Sequence, residues 1–234
     1  MPAKFLYKTA LIVGAGPGLS ASLARTLARE GMRIALAARD TAKLSTLASE
    51  IDAFTFELDA SSPHEVQRLF EAVDRQIGEP DVVIYNASAR VPGALIDLDP
   101  EAVRMAIEIS AFGAFLVTQQ AAKRMLVHGR GSILLTGATA SIKGFANSTA
   151  FAMGKFALRG LAQSAARELA PKGIHVAHVV VDGGIRSAER VDPSERVDST
   201  LDPDGIAETY LALLRQPRNA WSWEIEVRPW VENF

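Results

Sequence analysis

The segment STAFAMGKFALRG contains a lysine and an aromatic side chain at a spacing suited to proton transfer. Lys155 follows Phe151 by four residues, and in a helix this spacing places two side chains on the same face. A tyrosine in the place of Phe151 would have its pKa lowered by the lysine charge and could act as a general acid. Phenylalanine has no proton to give. The segment therefore holds half of a proton-donating pair.

A glycine-rich turn near the start of the chain has the composition of a phosphate-binding site. Gly14, Gly16 and Gly18 follow an apolar run and precede a segment of helical periodicity that begins at Leu19. Glycine lets the chain turn tightly and leaves backbone N–H groups open to a pyrophosphate at the positive end of the helix. The pattern predicts that Gly14, Gly16, Gly18 and Leu19 bind a dinucleotide, and the alternative is a tight turn without a ligand.

The end of the second apolar run indicates which dinucleotide is bound. Its last residues are Ala38, Arg39 and Asp40. An arginine here can pair with the 2′-phosphate of NADP, whereas an acidic residue accepts hydrogen bonds from the ribose of NAD. Arg39 therefore favours NADP, or NADPH in its reduced form, and Asp40 leaves NAD as the less favoured alternative.

Seven apolar runs alternate with longer segments of helical periodicity and predict the elements that position these residues. The runs cover residues 9–16, 33–39, 53–59, 81–88, 131–137, 173–181 and 222–229, and the main helical segments cover 19–30, 63–77, 100–127 and 146–170. Strands that are apolar throughout need helices on both faces, and the strand–helix rhythm means a parallel sheet. We predict a doubly wound α/β fold of the Rossmann type, with about seven parallel strands, as one domain over residues 1–234.

Composition excludes several function classes. The chain has 234 residues and a formal net charge of -2, which offers nucleic acid no basic surface. It has no cysteine, no run of about 18 apolar residues, and no secretory pattern over residues 1–8. His175 and His178 point to opposite faces of one strand, so no metal site is expected. These features predict a cytoplasmic protein with neither a nucleic-acid nor a membrane partner.

Residues 185–204 form a long stretch without a strong secondary-structure pattern. A loop of this length after a strand is typical of a functional lid, so we expect a substrate lid over about 185–204. Arg186 or Arg190 of this segment could meet an acidic group of a ligand. The alternative is that both are solvated loop arginines.

Several motifs, in order, give the chain a resemblance to the short-chain dehydrogenase/reductase superfamily over nearly its whole length. GAGPGLS is similar to the family's Gly-x-x-x-Gly-x-Gly turn at Gly14 and Gly18, with Ser20 in place of the last glycine. Asn86 and Ala87 match part of the Asn-Asn-Ala-Gly motif. Further matches are Asp59 after the third strand, Gly113-Ala114-Phe115, and the segment KFALRGLAQSAARELAPKGIHV.

The resemblance implies a nicotinamide-dependent oxidoreductase that binds its cofactor at the carboxyl ends of the strands and acts on a small-molecule substrate. It implies that Asp59 contacts the adenine ring and that Asn86 supports the cofactor site. Lys155 would hydrogen-bond the nicotinamide ribose, and the backbone amide of Ile185 would meet the nicotinamide carboxamide. A homodimer or homotetramer assembled through the segments 100–127 and 146–170 is implied as well.

The positions of the family's catalytic side chains are changed together, which marks an atypical member. The tyrosine falls at Phe151, the substrate-polarising serine at Ala138 and the asparagine of a proton relay at Ser110, while Lys155 is kept. Among nearby hydroxyls, Thr139 is the first candidate to orient a substrate. Weaker candidates are Ser141, Ser148, Thr149 and Tyr85. The candidate catalytic-site residues are thus Lys155, Phe151, Thr139 and Ser110.

An active site of this kind predicts unusual chemistry. A protonated imine needs only a hydride, and reduction of a conjugated carbon–carbon double bond can take its proton from water. Both reactions tolerate Phe151 better than reduction of a simple ketone does. The sequence therefore predicts an NAD(P)-dependent oxidoreductase that reduces an imine or a conjugated C=C. The alternative is a non-catalytic NADP-binding protein that senses the cofactor or scaffolds a partner.

Overall fold

The computed structural model describes residues 6–231, so residues 1–5 and 232–234, including part of the segment in which no secretory signal is expected, lie outside the described part. Seven parallel strands form one sheet in the order β3-β2-β1-β4-β5-β6-β7. They are β1 (Thr9–Val13), β2 (Arg33–Ala38), β3 (Phe54–Glu57), β4 (Val82–Tyr85), β5 (Gly131–Thr136), β6 (Ile174–Val181) and β7 (Glu224–Val227). The predicted Rossmann-type sheet is confirmed, and each strand is shorter than its apolar run.

The helices connect successive strands and also cover the sheet. They are α1 (Leu19–Arg29), α2 (Ser45–Ile51), α3 (Pro63–Ile77), α4 (Pro100–Ile107), α5 (Gly113–His128), α6 (Thr149–Leu169) and α7 (Pro203–Leu214). α3 has the predicted bounds because both of its ends are encoded locally. Ser62 accepts a hydrogen bond from the backbone of Glu65, Pro63 occupies the first turn, and Gly78 follows the last residue. The sequence patterns do not predict α2 or α7.

Two apolar cores lie on opposite faces of the sheet. Ala10 and Ile12 of β1 pack in the core that α1, α2 and α7 cover, whereas Leu11 and Val13 pack in the core that α3, α5 and α6 cover. All four side chains are fully buried. Alternating side chains of one strand are therefore both inside, which explains why the strands are apolar throughout.

A π-helical turn, Glu108–Phe112, joins α4 to α5, so the predicted helix 100–127 contains a local irregularity. The fully buried Tyr85 donates its hydroxyl to the carbonyl of Ile109 in this turn. A Cβ atom at Gly113 would lie 2.5 Å from that hydroxyl oxygen, so the tyrosine requires glycine there. Burial raises the pKa of the Tyr85 phenol. Tyr85 therefore supports the turn and is not placed to donate a proton to a substrate.

The strand order places a crevice at the carboxyl end of β1. β2 and β3 extend to one side of β1, and β4 to β7 extend to the other. Connections from β1 and β4 therefore diverge to opposite faces of the sheet, which leaves an opening outside their carboxyl ends. The glycine turn and the residues after β4 meet at this opening.

Candidate active site

The carboxyl ends of β1, β2 and β4 enclose a cavity of about 320 Å³. Its lining includes Gly14, Gly16, Arg39, Lys43, Asp59 and Asn86. The structure thus brings five of the predicted cofactor residues to one cavity, although they come from four separate parts of the chain. Lys43 is an addition that the sequence patterns did not indicate.

Gly14 makes the turn out of β1 in a conformation that other residues rarely adopt. Its φ is +83°, and a Cβ atom there would lie 2.3 Å from the backbone nitrogen of Ala87. The backbone N–H groups of Gly14 and Ala15 donate to the carbonyl of Ala37 at 2.9 and 3.0 Å. The turn therefore depends on glycine for its conformation and on β2 and the end of β4 for its position.

Ser20, which departs from the family's glycine, ties the turn to the end of β4. Its hydroxyl donates to the carbonyl of Gly14 at 3.0 Å and accepts from the side-chain amide of Asn86 at 2.7 Å. The backbone N–H of Asn86 donates to Val13 at 2.8 Å. Because Ser20 is almost fully buried, this hydroxyl joins three elements of the cavity wall without contact to solvent.

α1 begins beside the cavity with its positive end free of side-chain caps. Gly18 is the N-cap residue, no side chain caps the helix, and the first turn has no acidic residue. The side chain of Leu19 is buried in the core, so only its backbone N–H is suited to meet a ligand. These unoccupied donors and the helix dipole favour a negatively charged group such as a phosphate.

Basic and acidic side chains share the outer end of the cavity. Arg39 is exposed, and Lys43 forms an ion pair with Asp40 at 3.1 Å. Hydrogen bonding from Lys43 holds the pKa of the Asp40 carboxyl below its usual range. Asp59 accepts hydrogen bonds from the hydroxyl and backbone of Ser61, which lower its pKa. Asp40 is therefore already paired, while Arg39 makes no side-chain hydrogen bond or ion pair within residues 6–231.

A second cavity, of about 170 Å³, lies beside the first at the carboxyl ends of β4, β5 and β6. The two cavities share Asn86 and Ser88. Predicted residues that line the second one are Phe151, Lys155 and Ile185, and the substituted position Ala138 lines it too. The site therefore has a nucleotide end and a smaller inner end that are continuous.

Lys155 is a buried cation at the inner end. Its Nζ donates to the carbonyl of Thr136 at 2.7 Å and lies 5.8 Å from the centre of the Phe151 ring. Burial, and next the charge of Arg90, lower the pKa of Lys155 to about 7. The amine can therefore hold or release a proton at Nζ near neutral pH.

The Phe151 ring is covered by an arginine that the sequence patterns did not single out. The guanidinium carbon of Arg90 lies 4.2 Å from the centre of the ring. Arg90 belongs to the loop after β4, whereas Phe151 lies in the first turn of α6. A cation over an aromatic face at this distance is a favourable contact. Phe151 is therefore a stacking platform as well as a wall of the cavity.

The other predicted catalytic positions lie around the inner cavity but do not all line it. Ser110 is fully buried and accepts a hydrogen bond from the backbone N–H of Ala89 at 3.2 Å. A Cβ at Gly154 would lie 2.8 Å from the Cβ of Ser110, so α6 packs directly on the π-helical turn. Thr139 begins a short 3₁₀ helix and is not among the cavity-lining residues. Ser110 thus has a visible role in supporting the loop that carries Arg90.

Comparisons with known proteins agree with this arrangement. A family model described as short chain dehydrogenase matches residues 8–194. The chain belongs to the short-chain dehydrogenase/reductase family. The similarity of this short-chain dehydrogenase/reductase to its relatives extends over nearly the whole chain. An uncharacterized oxidoreductase of Staphylococcus aureus is 30% identical over 231 residues, and the match covers 95% of this chain and 97% of the relative.

Solved structures of the family have the same fold. A short-chain dehydrogenase from Rhodopseudomonas palustris superimposes with a TM-score of 0.83 at 34% identity, covering 95% of this chain and 99% of that one. An alcohol dehydrogenase from the archaeon Thermococcus sibiricus, complexed with 5-hydroxy-NADP, gives a TM-score of 0.87 at 26% identity, covering 97% and 98%.

Three basic residues of this short-chain dehydrogenase/reductase site were missed or left open by sequence reasoning. Lys43 and Arg90 were not identified, because Lys43 lies in a three-residue 3₁₀ helix, Ala42–Leu44, and Arg90 in a loop, neither of which gives a periodic pattern. Arg190 was one of two open candidates in the segment 185–204, and it lines the inner cavity, whereas Arg186 pairs with Asp202 at 2.7 Å. The adjacency of Arg90 to an aromatic on another element had no signal in the sequence.

Metal-binding clusters and membrane-spanning helices are the other features to consider within residues 6–231. These residues contain no cluster of three or more His, Cys, Asp or Glu side chains that could hold a metal ion. Among the described helices, none combines the length and the apolar character that crossing a bilayer requires.

Proposed function

We propose that this protein is an NADP(H)-dependent oxidoreductase that reduces an imine or a conjugated carbon–carbon double bond. The coarse assignment follows from the family: the chain is an oxidoreductase of the short-chain dehydrogenase/reductase type. The finer assignment is supported above all by one observation, which is that the position of the proton-donating tyrosine is a phenylalanine stacked under Arg90.

The residues of the outer cavity fit a nicotinamide dinucleotide. The cavity floor at Gly14 and Gly16 leaves room for a pyrophosphate, since a Cβ at Gly16 would meet nothing within 4 Å. The uncapped start of α1 at Gly18 and Leu19 offers backbone donors to it. In this proposal Asp59 and Asn86 border the adenosine half, Lys155 meets the nicotinamide ribose, and Ile185 meets the carboxamide.

The charges at the outer end favour NADP over NAD. Arg39 lines the cavity and is free to pair with a 2′-phosphate. Asp40 could otherwise repel a phosphate, but its carboxylate is paired with Lys43. The complex of the T. sibiricus relative with an NADP derivative supports the same preference.

The cofactor would supply a hydride at the inner cavity, and the surrounding residues decide which acceptor can use it. Reduction of a ketone develops negative charge on oxygen and requires a proton there, but neither Phe151 nor Ala138 has a hydroxyl. An imine that enters as its protonated form needs no donor, and a conjugated double bond can take its proton from water. Lys155 Nζ is the nearby side-chain atom that can carry a proton.

The segment 185–204 is proposed as the lid of the single domain 1–234. Much of it is exposed. Two backbone hydrogen bonds of 2.8 Å join its beginning to its end: the N–H of Arg186 donates to the carbonyl of Leu201, and the N–H of Leu201 donates to the carbonyl of Gly184. It places Ile185 and Arg190 on the inner cavity. Closure over a small-molecule substrate would exclude water from the reacting atoms.

We expect a homodimer or homotetramer in the cytoplasm, assembled through the helices near 100–127 and 146–170 and without nucleic-acid or membrane partners. Large apolar side chains are exposed on both helices: Met105, Phe112, Phe115, Leu126, Met153 and Phe156. Patches of this kind are typical of protein interfaces. Sedimentation of Phe156→Asp should show a smaller species than wild type, whereas Ile96→Asp, an equivalent change at an exposed loop residue, should not change the assembly.

The central test follows NADPH absorbance against ketones, cyclic imines and enoyl thioesters. We expect turnover with an imine or an enoyl thioester and little with ketones. Phe151→Tyr restores a phenol one turn from Lys155, and it should raise ketone reduction by less than about 10-fold because Ala138 and Ser110 remain. A much larger gain would mean that the background chemistry is ordinary ketone reduction. Tight NADPH binding without turnover on any class would favour the sensor or scaffold alternative.

A further inference from the structure

Two guanidinium groups face the inner cavity from different loops. Arg90 comes from the loop after β4, and Arg190 comes from the segment 185–204. Lys155 lines the same cavity, and none of the residues that line this cavity is an aspartate or a glutamate. The proposed reaction site therefore holds a concentration of positive charge next to the position where hydride would be delivered.

The stacking of Arg90 leaves its hydrogen-bonding edge free. The guanidinium carbon lies over the Phe151 ring, 4.2 Å from its centre, and a cation–π contact of this kind uses none of the N–H donors in a hydrogen bond. Its five N–H donors point outward in the plane, in the fork geometry that matches a carboxylate. Within residues 6–231, the guanidinium groups of Arg90 and Arg190 make no hydrogen bond or ion pair. The ring thus orients Arg90 without using its donors.

Two other arginines, Arg186 and Arg228, do have carboxylate partners within the chain. Arg186 pairs with Asp202 at 2.7 Å, and Arg228 pairs with Asp182 at 3.1 Å. The fold therefore supplies carboxylates to the arginines beside the cavity but none to the two that line it. Arg90 and Arg190 are both solvent-exposed, so an anion from outside the chain can reach them.

An anion between these groups would offset a repulsion that the free protein contains. Partial burial, and next the charge of Arg190, lower the pKa of Arg90, as expected for two cations near one another. Lys155 adds to the same field. The inner cavity of about 170 Å³ is smaller than the roughly 300–1,000 Å³ of pockets for drug-sized ligands, and the proposed nicotinamide would share it. The anion that fits is therefore a small one.

We propose that Arg90, held on Phe151, and Arg190 form a subsite for the carboxylate of the substrate. The substrate class would then be a small imino acid or an α,β-unsaturated acid rather than a neutral compound. The subsite assigns a purpose to Phe151, because an apolar ring carries Arg90 where the family has a proton donor. The assignment deepens the proposed function, but carboxylate binding does not itself require turnover.

The test measures binding of pyruvate and of its uncharged amide, pyruvamide, to the protein saturated with NADP⁺, by calorimetry. We expect wild type to bind pyruvate more tightly than pyruvamide, with affinity that falls as salt increases. Arg90→Met and Arg190→Met should each weaken pyruvate binding by about 10- to 100-fold, the usual effect of losing hydrogen bonds to a charged group. Equal binding of both probes by wild type would overturn the subsite.

Two controls separate this subsite from a cofactor phosphate site and from a general charge effect. Arg186→Met removes the same charge from the same segment, but Arg186 is paired outside the cavity, so pyruvate affinity should change by less than about 2-fold. Arg90→Met should likewise change the affinity for NADPH by less than about 2-fold. If Arg90→Met instead lost NADPH affinity and kept pyruvate affinity, the anion would be the cofactor's phosphate and the proposal would be wrong.

Substitutions of Phe151 test the platform itself. Phe151→Tyr keeps an aromatic face and should keep pyruvate affinity, whereas Phe151→Leu should lose about 3- to 10-fold because the cation–π contact is gone. Equal affinity of the two variants would contradict the platform role. Pyruvate binding that depends on Arg90, in a protein that consumes no NADPH, would retain the subsite and reject the proposed reaction. Turnover of a cyclic imino acid that is equal in wild type and Arg90→Met would do the reverse.

Discussion

The nucleotide end and the inner end of the site lie on the same edge of one sheet but are built from different kinds of groups. At the nucleotide end, the glycine turn, Ser20 and Asn86 are joined to one another by backbone and buried side-chain hydrogen bonds. The inner end is a cavity lined by Phe151, Ala138 and Arg90, among others. Within residues 6–231, the guanidinium groups of Arg90 and Arg190 make no hydrogen bond or ion pair, and Lys155 Nζ donates one hydrogen bond, to Thr136. One end is held by internal bonds, and the other is left to be completed by a ligand.

The difference separates two requirements of such an enzyme. Binding a dinucleotide depends largely on backbone conformation and the start of a helix, which tolerate few substitutions. Choosing a hydride acceptor depends on individual side chains, which can be exchanged without disturbing the sheet. We propose that the second requirement has changed at Phe151, Ala138 and Ser110, while the residues for the first remain.

The largest expected effect is at the glycine turn. Gly14→Ala places a Cβ 2.3 Å from the backbone of Ala87 at a positive φ, and should lower the free energy of unfolding by about 2–4 kcal/mol. Urea denaturation measures it. Gly16→Ala, where an added Cβ meets nothing within 4 Å, should keep the stability and lose NADPH affinity. Equal stability of both variants would show that this end is less rigid than we describe.

A smaller effect, on how stability depends on pH, is expected from the buried lysine at the inner end. The pKa of Lys155 is lowered to about 7 in the folded protein, against about 10.4 in an unfolded chain. Between these values the unfolded state binds more protons, so stability rises with pH, by up to about 1.4 kcal/mol per unit. The gain builds up between about pH 7 and pH 10 and is lost as the pH falls back through that range.

Urea denaturation of the cofactor-free protein at pH 7, 8 and 9 measures this slope. Wild type should gain stability relative to Lys155→Met across the series, because methionine cannot titrate. Lys172→Met, at an exposed lysine, should retain the wild-type slope. Parallel curves for wild type and Lys155→Met would mean that the amine is charged in the folded state throughout, and the contrast between the two ends would weaken.

The preference for NADP over NAD rests on the outer rim of the nucleotide end. Arg39→Ala removes the exposed guanidinium beside Lys43 and should weaken NADPH binding by about 10-fold, as expected for the loss of one charge-assisted contact at an exposed site. NADH lacks the 2′-phosphate, so its affinity should change by less than about 2-fold. Fluorescence titration with both nucleotides measures the difference, and equal losses for both would contradict the assignment of Arg39.

The smallest effect is expected at Ser20, whose hydroxyl ties the glycine turn to Asn86. Ser20→Ala leaves the Asn86 amide and the Gly14 carbonyl without this partner and should cost about 1–2 kcal/mol of stability. Ser20→Gly restores the family's residue but not the hydroxyl, so it should not recover the loss. Full stability of Ser20→Gly would show that glycine packing alone suffices at this position.

Local patterns predicted much of the fold because the information is local. Continuous apolar runs identify buried parallel strands, and α3 is bounded by its own cap, proline and glycine. α2 and α7 were missed: α2 is only seven residues long, and α7 follows an irregular segment. The π-helical turn was also missed, since it depends on Tyr85 reaching Ile109 from another element.

By itself the sequence determined the family, the sheet, the glycine turn and the placement of Phe151 four residues before Lys155, because each is a matter of residue type at a fixed spacing along the chain. Only the tertiary structure decided what surrounds those residues. It buried Lys155 and thereby lowered its pKa, turned Ser20 into a tie between two elements, and brought Arg90 from a distant loop over the Phe151 ring. These properties depend on desolvation and on contacts between residues far apart in sequence, which no spacing encodes.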